Sequence, residues 1–246
     1  VPSCNMMRRD AFFRAGGFRQ HTAPQEDAEL WTRIPLVGYN VAMVTAKPVY
    51  KYRIHDGAAT SAIREGKATE KNWLEFIAFH NGAPPPFASI LPPENGRSHA
   101  VGCFDEPIIS VVIPCSDKHA PLVRDAIESV MAQSDYHWEL IVVDDTDAGD
   151  LGSRGYYPYE RQYPFVRWIR NEKLHNVSAA RNIGAEAARG KYLVFLDADD
   201  YLLPDFIKST YAIQQNCQGT GSIVYTDWIS HPKMESHQAE NWALDR

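Results

Sequence analysis

The segment Lys191-Tyr-Leu-Val-Phe-Leu-Asp-Ala-Asp-Asp200 decides the fold. Residues 192–196 are apolar throughout, the mark of a strand covered on both faces. The run leads straight into the carboxylates of Asp197, Asp199 and Asp200. Working outward, residues 108–113 form a second such strand, followed by Leu122, Ala126, Ile127, Val130 and Met131 at helical spacing. Strands at 140–143 and 166–170, a helix at 179–188 capped by Ser178, a helix at 205–216 and a strand at 223–225 complete the alternation. That rhythm predicts an α/β fold with a mostly parallel sheet flanked by helices. Right-handed crossovers then gather the strand C-termini on one edge, where such folds bind ligands.

The chain before this region differs in character. Residues 1–63 carry a short helix expected to start on Asp10 and stop at Gly16-Gly17, then a helix from Glu26 to Ile34 whose Leu30 and Ile34 share a face with Val37. Pro35 tightens its last turn and Gly38 ends it, and short strands are expected at 41–44 and 49–54. Residues 64–106 read as a connector: a helix at 67–80, then Pro84-Pro85-Pro86 and Pro92-Pro93, which favour extended backbone. Residues 107–246 hold the alternating region.

Composition narrows the function. Hydrophobic residues are 44% of the 246 and charged residues 23%, a globular balance that argues against disorder. Lys plus Arg number 25 against 31 Asp plus Glu, so the net charge of -6 opposes general nucleic-acid binding. No apolar run approaches the ~18 residues of a membrane span, which leaves peripheral membrane association open. Cys4, Cys103, Cys115 and Cys217 lie far apart, without metal-knuckle spacing, and suit a reducing cytoplasm. The opening Val1-Pro2-Ser3-Cys4 reads as a fragment of a longer polypeptide or a processed product.

Two acidic clusters follow expected strands: Asp144-Asp145 after Val142-Val143, and Asp197 to Asp200 after Leu196. Carboxylates at i and i+2 on a strand end can converge on one cation, and hard oxygens suit Mg²⁺ or Mn²⁺ rather than zinc or copper. Such an ion would neutralise charge on a departing diphosphate. The same acids could simply cap the helices that follow.

Four motifs occur in order: Ile109-Ser-Val-Val-Ile-Pro114, Glu139-Leu-Ile-Val-Val-Asp-Asp145, Asn176-Val-Ser-Ala-Ala-Arg-Asn182 and the segment to Asp200. Together they resemble the nucleotide-sugar half of family 2 glycosyltransferases, which have the GT-A fold. Arg9-Asp-Ala-Phe-Phe-Arg-Ala-Gly-Gly-Phe18, Glu26-Asp-Ala-Glu-Leu-Trp31 and Tyr52-Arg-Ile-His55 resemble that family's acceptor-side half. The acceptor half therefore precedes the donor half. Two arrangements are compatible with this order: a segment across the junction of two tandem transferase domains, or a circularly permuted domain whose halves complement each other.

The resemblance implies inverting transfer of a sugar from a nucleotide diphosphate, a UDP-sugar favoured, to a glycan or polysaccharide acceptor. The alternative is a module that binds nucleotide-sugar and metal without turnover. Pro114, Asp144, Asp145, Arg181 and Asp197 match donor-side positions, Asp145 as the acid for base or ribose and Arg181 as a brace for the aspartates or a diphosphate contact. Asp197, Asp199 and His55 match metal positions. Asp27, with Glu26 beside it, matches the general base, although both also fit as first-turn acids complementing a helix dipole, which would lower their pKa. Gly16 and Gly17 match the acceptor loop. Trp31 is either a sugar platform or helix packing. Cys115-Ser116-Asp117 and Thr146-Asp147 depart from the usual family residues at the donor pocket.

Overall fold

The computed structural model describes residues 4–20, 26–44, 50–53, 107–135, 137–147, 149, 151, 165–172, 176–216, 222–226 and 228–231. The expected helix at 67–80, the proline-rich stretch and His55 lie outside these residues.

Among the described residues a seven-stranded sheet has the order β2 (Asn40–Val44), β9 (Ser222–Thr226), β1 (Asn5–Arg8), β7 (Tyr192–Phe195), β4 (Ile109–Cys115), β5 (Trp138–Asp144) and β6 (Val166–Arg170). All neighbours pair in parallel except β1, which runs antiparallel to both β7 and β9. Strands β3 (Tyr50–Arg53), β8 (Tyr201–Leu202) and β10 (Trp228–His231) make a small second sheet. The α/β architecture is thus as expected.

Side chains alternate between two cores. Met6, Val111, Ile113, Leu140, Val142 and Val194 face one, with α3 (Val123–Met131) and α5 (Phe206–Asn216) packed over them. Met7, Val112, Ile141, Val143, Leu193 and Phe195 face the other. This second face receives α4 (Val177–Ala187) together with α1 (Arg9–Arg14) and α2 (Glu26–Leu36). The first and third stretches of the chain therefore share one hydrophobic core.

Pro114 sits within central β4, where a missing N–H would ordinarily break a ladder. The ladder to β7 reaches only Val112, with Leu196 N–H donating to its carbonyl. Two residues on, Pro114 turns its nitrogen to the side that β7 has already left, so no hydrogen bond is lost.

Two helix starts differ from expectation. Helix α1 begins at Arg9, and Asp10 lies in its first turn, accepting from Ala11 N at 2.9 Å and from Arg8 Nε at 2.8 Å. Helix α4 begins at Val177 because Asn176, not Ser178, is the cap: Asn176 Oδ1 accepts from Ala179 N at 2.8 Å. Among the described residues no helix is long and apolar enough to cross a membrane.

Candidate active site

Because β4, β5 and β7 run in parallel, their C-terminal ends share one edge, and antiparallel β1 brings its N-terminal end there too. Carboxylate oxygens of Asp197, Asp199 and Asp200 lie within 4.8 Å of one another just beyond β7. Asp200 is buried and accepts from the Tyr50 hydroxyl, so a residue of the first stretch braces the cluster. Burial, then the Asp200 charge, pushes the Tyr50 hydroxyl well above its ordinary pKa, which keeps it a donor.

The guanidinium of Arg181, buried on α4, joins the two stretches. Its Nη1 donates to Glu26 Oε1 at 2.9 Å and Asp27 Oδ1 at 3.2 Å, and its Nη2 donates to Asp197 Oδ1 at 2.6 Å. Burial works against this charge, yet Asp27, Asp197 and Glu26 together hold the Arg181 pKa above its usual value. The Phe18 ring packs on the same guanidinium, 5.1 Å from its centroid. Glu26 Oε2 is buried with no hydrogen-bond partner among the described residues.

Asp27 behaves contrary to the helix-dipole expectation. Desolvation pushes its carboxyl from 3.8 to about 7, with Arg181 opposing and Asp197 and Glu26 adding to the rise. A carboxylate poised there can take a proton near neutral pH.

Asp144 ends β5 and Asp145 follows it, next to β4. Asp144 Oδ1 accepts from Thr146 N at 3.0 Å, from Thr146 Oγ1 at 2.6 Å and from Arg170 Nη1 at 3.2 Å, which fixes the turn after β5. Its Oδ2 is buried without a hydrogen-bond partner among the described residues. Asp145 Oδ1 accepts from Asn171 Nδ2 at 2.6 Å.

Gly16 and Gly17 make the turn after α1. Gly16 and Gly17 both have positive φ, at 84° and 65°, and their N–H groups donate to Phe13 and Phe12 carbonyls. Arg33, buried in an ion pair with Glu29, donates to the Ala15 and Gly17 carbonyls and so anchors this turn to α2. Trp31 packs against the second core, as the helix-packing alternative expects.

The edge therefore gathers Glu26, Asp27, Arg181, Asp197 and Asp199, while His55 lies outside the described residues. Site neighbours that sequence reasoning did not single out are Tyr50, Asn171, Arg170 and His119. Asp200 was legible as the last residue of the acidic run. His119, with Nε2 3.7 Å from Asp199 Oδ2, carried no sequence signal.

Three carboxylates, two of them partly exposed, form a hard oxygen set that fits Mg²⁺ or Mn²⁺. Arg181 and Tyr50 orient Asp197 and Asp200.

The family model for glycosyl transferase family 2 matches residues 110–242, more than half of the chain. The chain belongs to glycosyltransferase family 2. Membership of family 2 agrees with the α/β, GT-A type of sheet. An uncharacterized protein of Sinorhizobium fredii is 37% identical over 49% of this chain and 13% of its own length. The putative teichuronic acid biosynthesis glycosyltransferase TuaG of Bacillus subtilis is 31% identical over 46% of this chain and 44% of its own length. The chain thus spans less than half the length of these relatives. The crystal structure of S. aureus TarS 1-349 with UDP-GlcNAc overlaps 44% of this chain and 31% of that one, with a TM-score of 0.39 and 21% identity. Overlap at that level adds nothing to the family assignment.

Proposed function

We propose that this chain transfers a glycosyl group, with inversion, from a nucleotide-diphosphate sugar to a hydroxyl of a glycan or polysaccharide acceptor. The observation that carries this reading is the Arg181 guanidinium, held at once by Glu26 and Asp27 of the acceptor-side stretch and by Asp197 of the donor-side stretch. It supports one composite site in a permuted transferase domain, residues 1–63 completing residues 107–246. The strand pairing of β1 with β7 and β9 supports the same reading.

In this site Asp27 accepts the proton of the acceptor hydroxyl as that oxygen bonds to the anomeric carbon and the bond from that carbon to the diphosphate oxygen breaks. Asp145 accepts from ribose hydroxyls or the base N–H, being acceptor-only when ionised, and this favours a UDP-sugar. Asp197 and Asp199 would hold the divalent cation, with Asp200 behind them. When bound, that cation supplies charge neutralisation for the departing diphosphate. Arg181 keeps Asp27 and Asp197 at fixed separation, so base and donor meet in one geometry. TuaG, named for teichuronic acid biosynthesis, supports a product in polysaccharide synthesis.

The test is UDP release across a panel of UDP-sugars, with and without Mn²⁺, for the chain and for Asp27→Asn. The reading expects Mn²⁺-dependent release, unchanged UDP binding in Asp27→Asn, and a loss of turnover of about 10²-fold or more. Equal turnover in Asp27→Asn returns that residue to a helix-start acid. Binding of UDP without turnover in the unaltered chain instead supports the binding-only module, against which the contact of Arg181 with Asp27 Oδ1 argues.

A further inference from the structure

We infer that His119 is a ligand of the divalent cation at Asp199, a nitrogen donor supplied by the loop after β4. The inference rests on the cation-dependent reading above and deepens it. The loop is built to present this ring. Ser116 O accepts from His119 N at 3.0 Å and from Ala120 N at 2.9 Å, which closes a turn directly after β4. The same serine meets the ring: Ser116 Oγ lies 3.3 Å from His119 Nδ1. With Nδ1–H donated to that hydroxyl, Nε2 keeps its lone pair, the arrangement by which ligating histidines are oriented. Nε2 then lies 3.7 Å from Asp199 Oδ2, with both side chains partly exposed. Two donors about 2.1 Å from one first-row cation lie roughly 3–4 Å apart, so both atoms can reach one ion with little movement.

The donor set sets the expected preference. Asp197 and Asp200 each give an oxygen to another group, Arg181 and Tyr50 respectively, whereas Asp199 faces the imidazole. Imidazole is a poor donor for Mg²⁺ and a better one for transition metals. A His119 ligand therefore biases the site toward Mn²⁺ over Mg²⁺. The position follows Cys115-Ser116-Asp117, the stretch where the sequence departs from the usual family residues.

The experiment is electron paramagnetic resonance of the full chain titrated with Mn²⁺, alone and with UDP, read for nitrogen modulation from a directly bound imidazole. The expected result is nitrogen coupling in the unaltered chain, lost in His119→Ala and retained in His55→Ala. Mn²⁺ affinity should fall at least about tenfold in His119→Ala, since loss of even an outer partner costs about 10–100-fold, and the Mn²⁺-over-Mg²⁺ preference should shrink. His119→Gln, which keeps the bulk, gives the same readout if the alanine protein does not fold. Mn²⁺ binding without nitrogen coupling overturns the inference and leaves the cation reading standing. Coupling that survives His119→Ala and vanishes in His55→Ala overturns it in favour of His55. Absence of any Mn²⁺ association overturns the cation reading and this inference together.

Discussion

Asn182 and Phe18 exchange two hydrogen bonds across 164 residues of sequence: Phe18 N donates to Asn182 Oδ1 at 2.9 Å, and Asn182 Nδ2 donates to Phe18 O at 2.8 Å. A side-chain amide here imitates one rung of a sheet and ties the turn after α1 to α4. The fit is close, because a Cβ on Gly17 would stand 2.9 Å from Asn182 Oδ1. Asn182→Ala leaves both Phe18 backbone groups without these partners and should cost about 1–3 kcal/mol. At about 2–4 °C per kcal/mol for a domain of this size, a thermal melt resolves the loss. A melt unchanged within a degree would show that the turn is held by Arg33 alone.

The parallel core and its acidic edge were legible because their signals are local. Continuous apolar runs such as Val111-Val112-Ile113 are what doubly covered strands show, and the carboxylates come next in sequence after β5 and β7. Strand β1 was not legible. Asn5-Met6-Met7-Arg8 has no β-branched residue and is four residues long, so it becomes a strand only through the ladders that β7 and β9 offer. The same holds for the site. Asp27 and Arg181 each carried a motif, but their contact is a property of the tertiary fold. The cap of α4 was misread by two residues because Ser178 and Asn176 are both good caps, and only the geometry chooses the one whose oxygen reaches Ala179 N. His119 stood alone in a polar loop, where a histidine has no pattern to declare it.

Arg181 is a buried cation with three carboxylates, so its removal should be costly. Arg181→Ala leaves Glu26, Asp27 and Asp197 facing one another without compensation. Breaking a buried pair by removing one partner costs about 3–5 kcal/mol, and here the acidic residues on both sides lose their common partner. Arg181→Lys keeps the charge but can no longer reach in two directions with fixed geometry, so it should recover only part of the stability in urea unfolding. Full recovery by lysine would mean that charge alone, not the forked contact, joins the two stretches.

Gly184 is where α4 lies against the sheet. A Cβ added there would overlap Val112 Cγ1 and press on Val143 Cγ2 at 3.2 Å. Val112 is buried in the middle of β4 and cannot swing away. Gly184→Ala should therefore destabilise by about 1–3 kcal/mol through overpacking, although alanine is the better helix former by about 1 kcal/mol. The paired change Gly184→Ala with Val112→Ala should regain part of the loss, measured by a double-mutant cycle in urea. Additive losses would place the strain elsewhere.

Asp27 gives the site its pH dependence, and the sign follows from its raised pKa. Desolvation lifts the carboxyl from 3.8 to about 7, so between those values the folded protein holds a proton that the unfolded chain has released. Stability rises with pH only where the unfolded state binds more protons. Here the folded state binds more, so this group's contribution is fully present below pH ~4 and is lost as pH rises through about 7. Asp27→Asn removes that slope, and thermal midpoints of the metal-free proteins from pH ~4 to ~8 should draw apart accordingly. With Asp27 as the proposed base, turnover runs the other way, since a base works only when ionised. It should climb as pH passes about 7 in the unaltered chain, and stay low and flat in Asp27→Asn. Parallel midpoint curves for the two proteins, together with a pH profile shared by both, would remove Asp27 from the proton path.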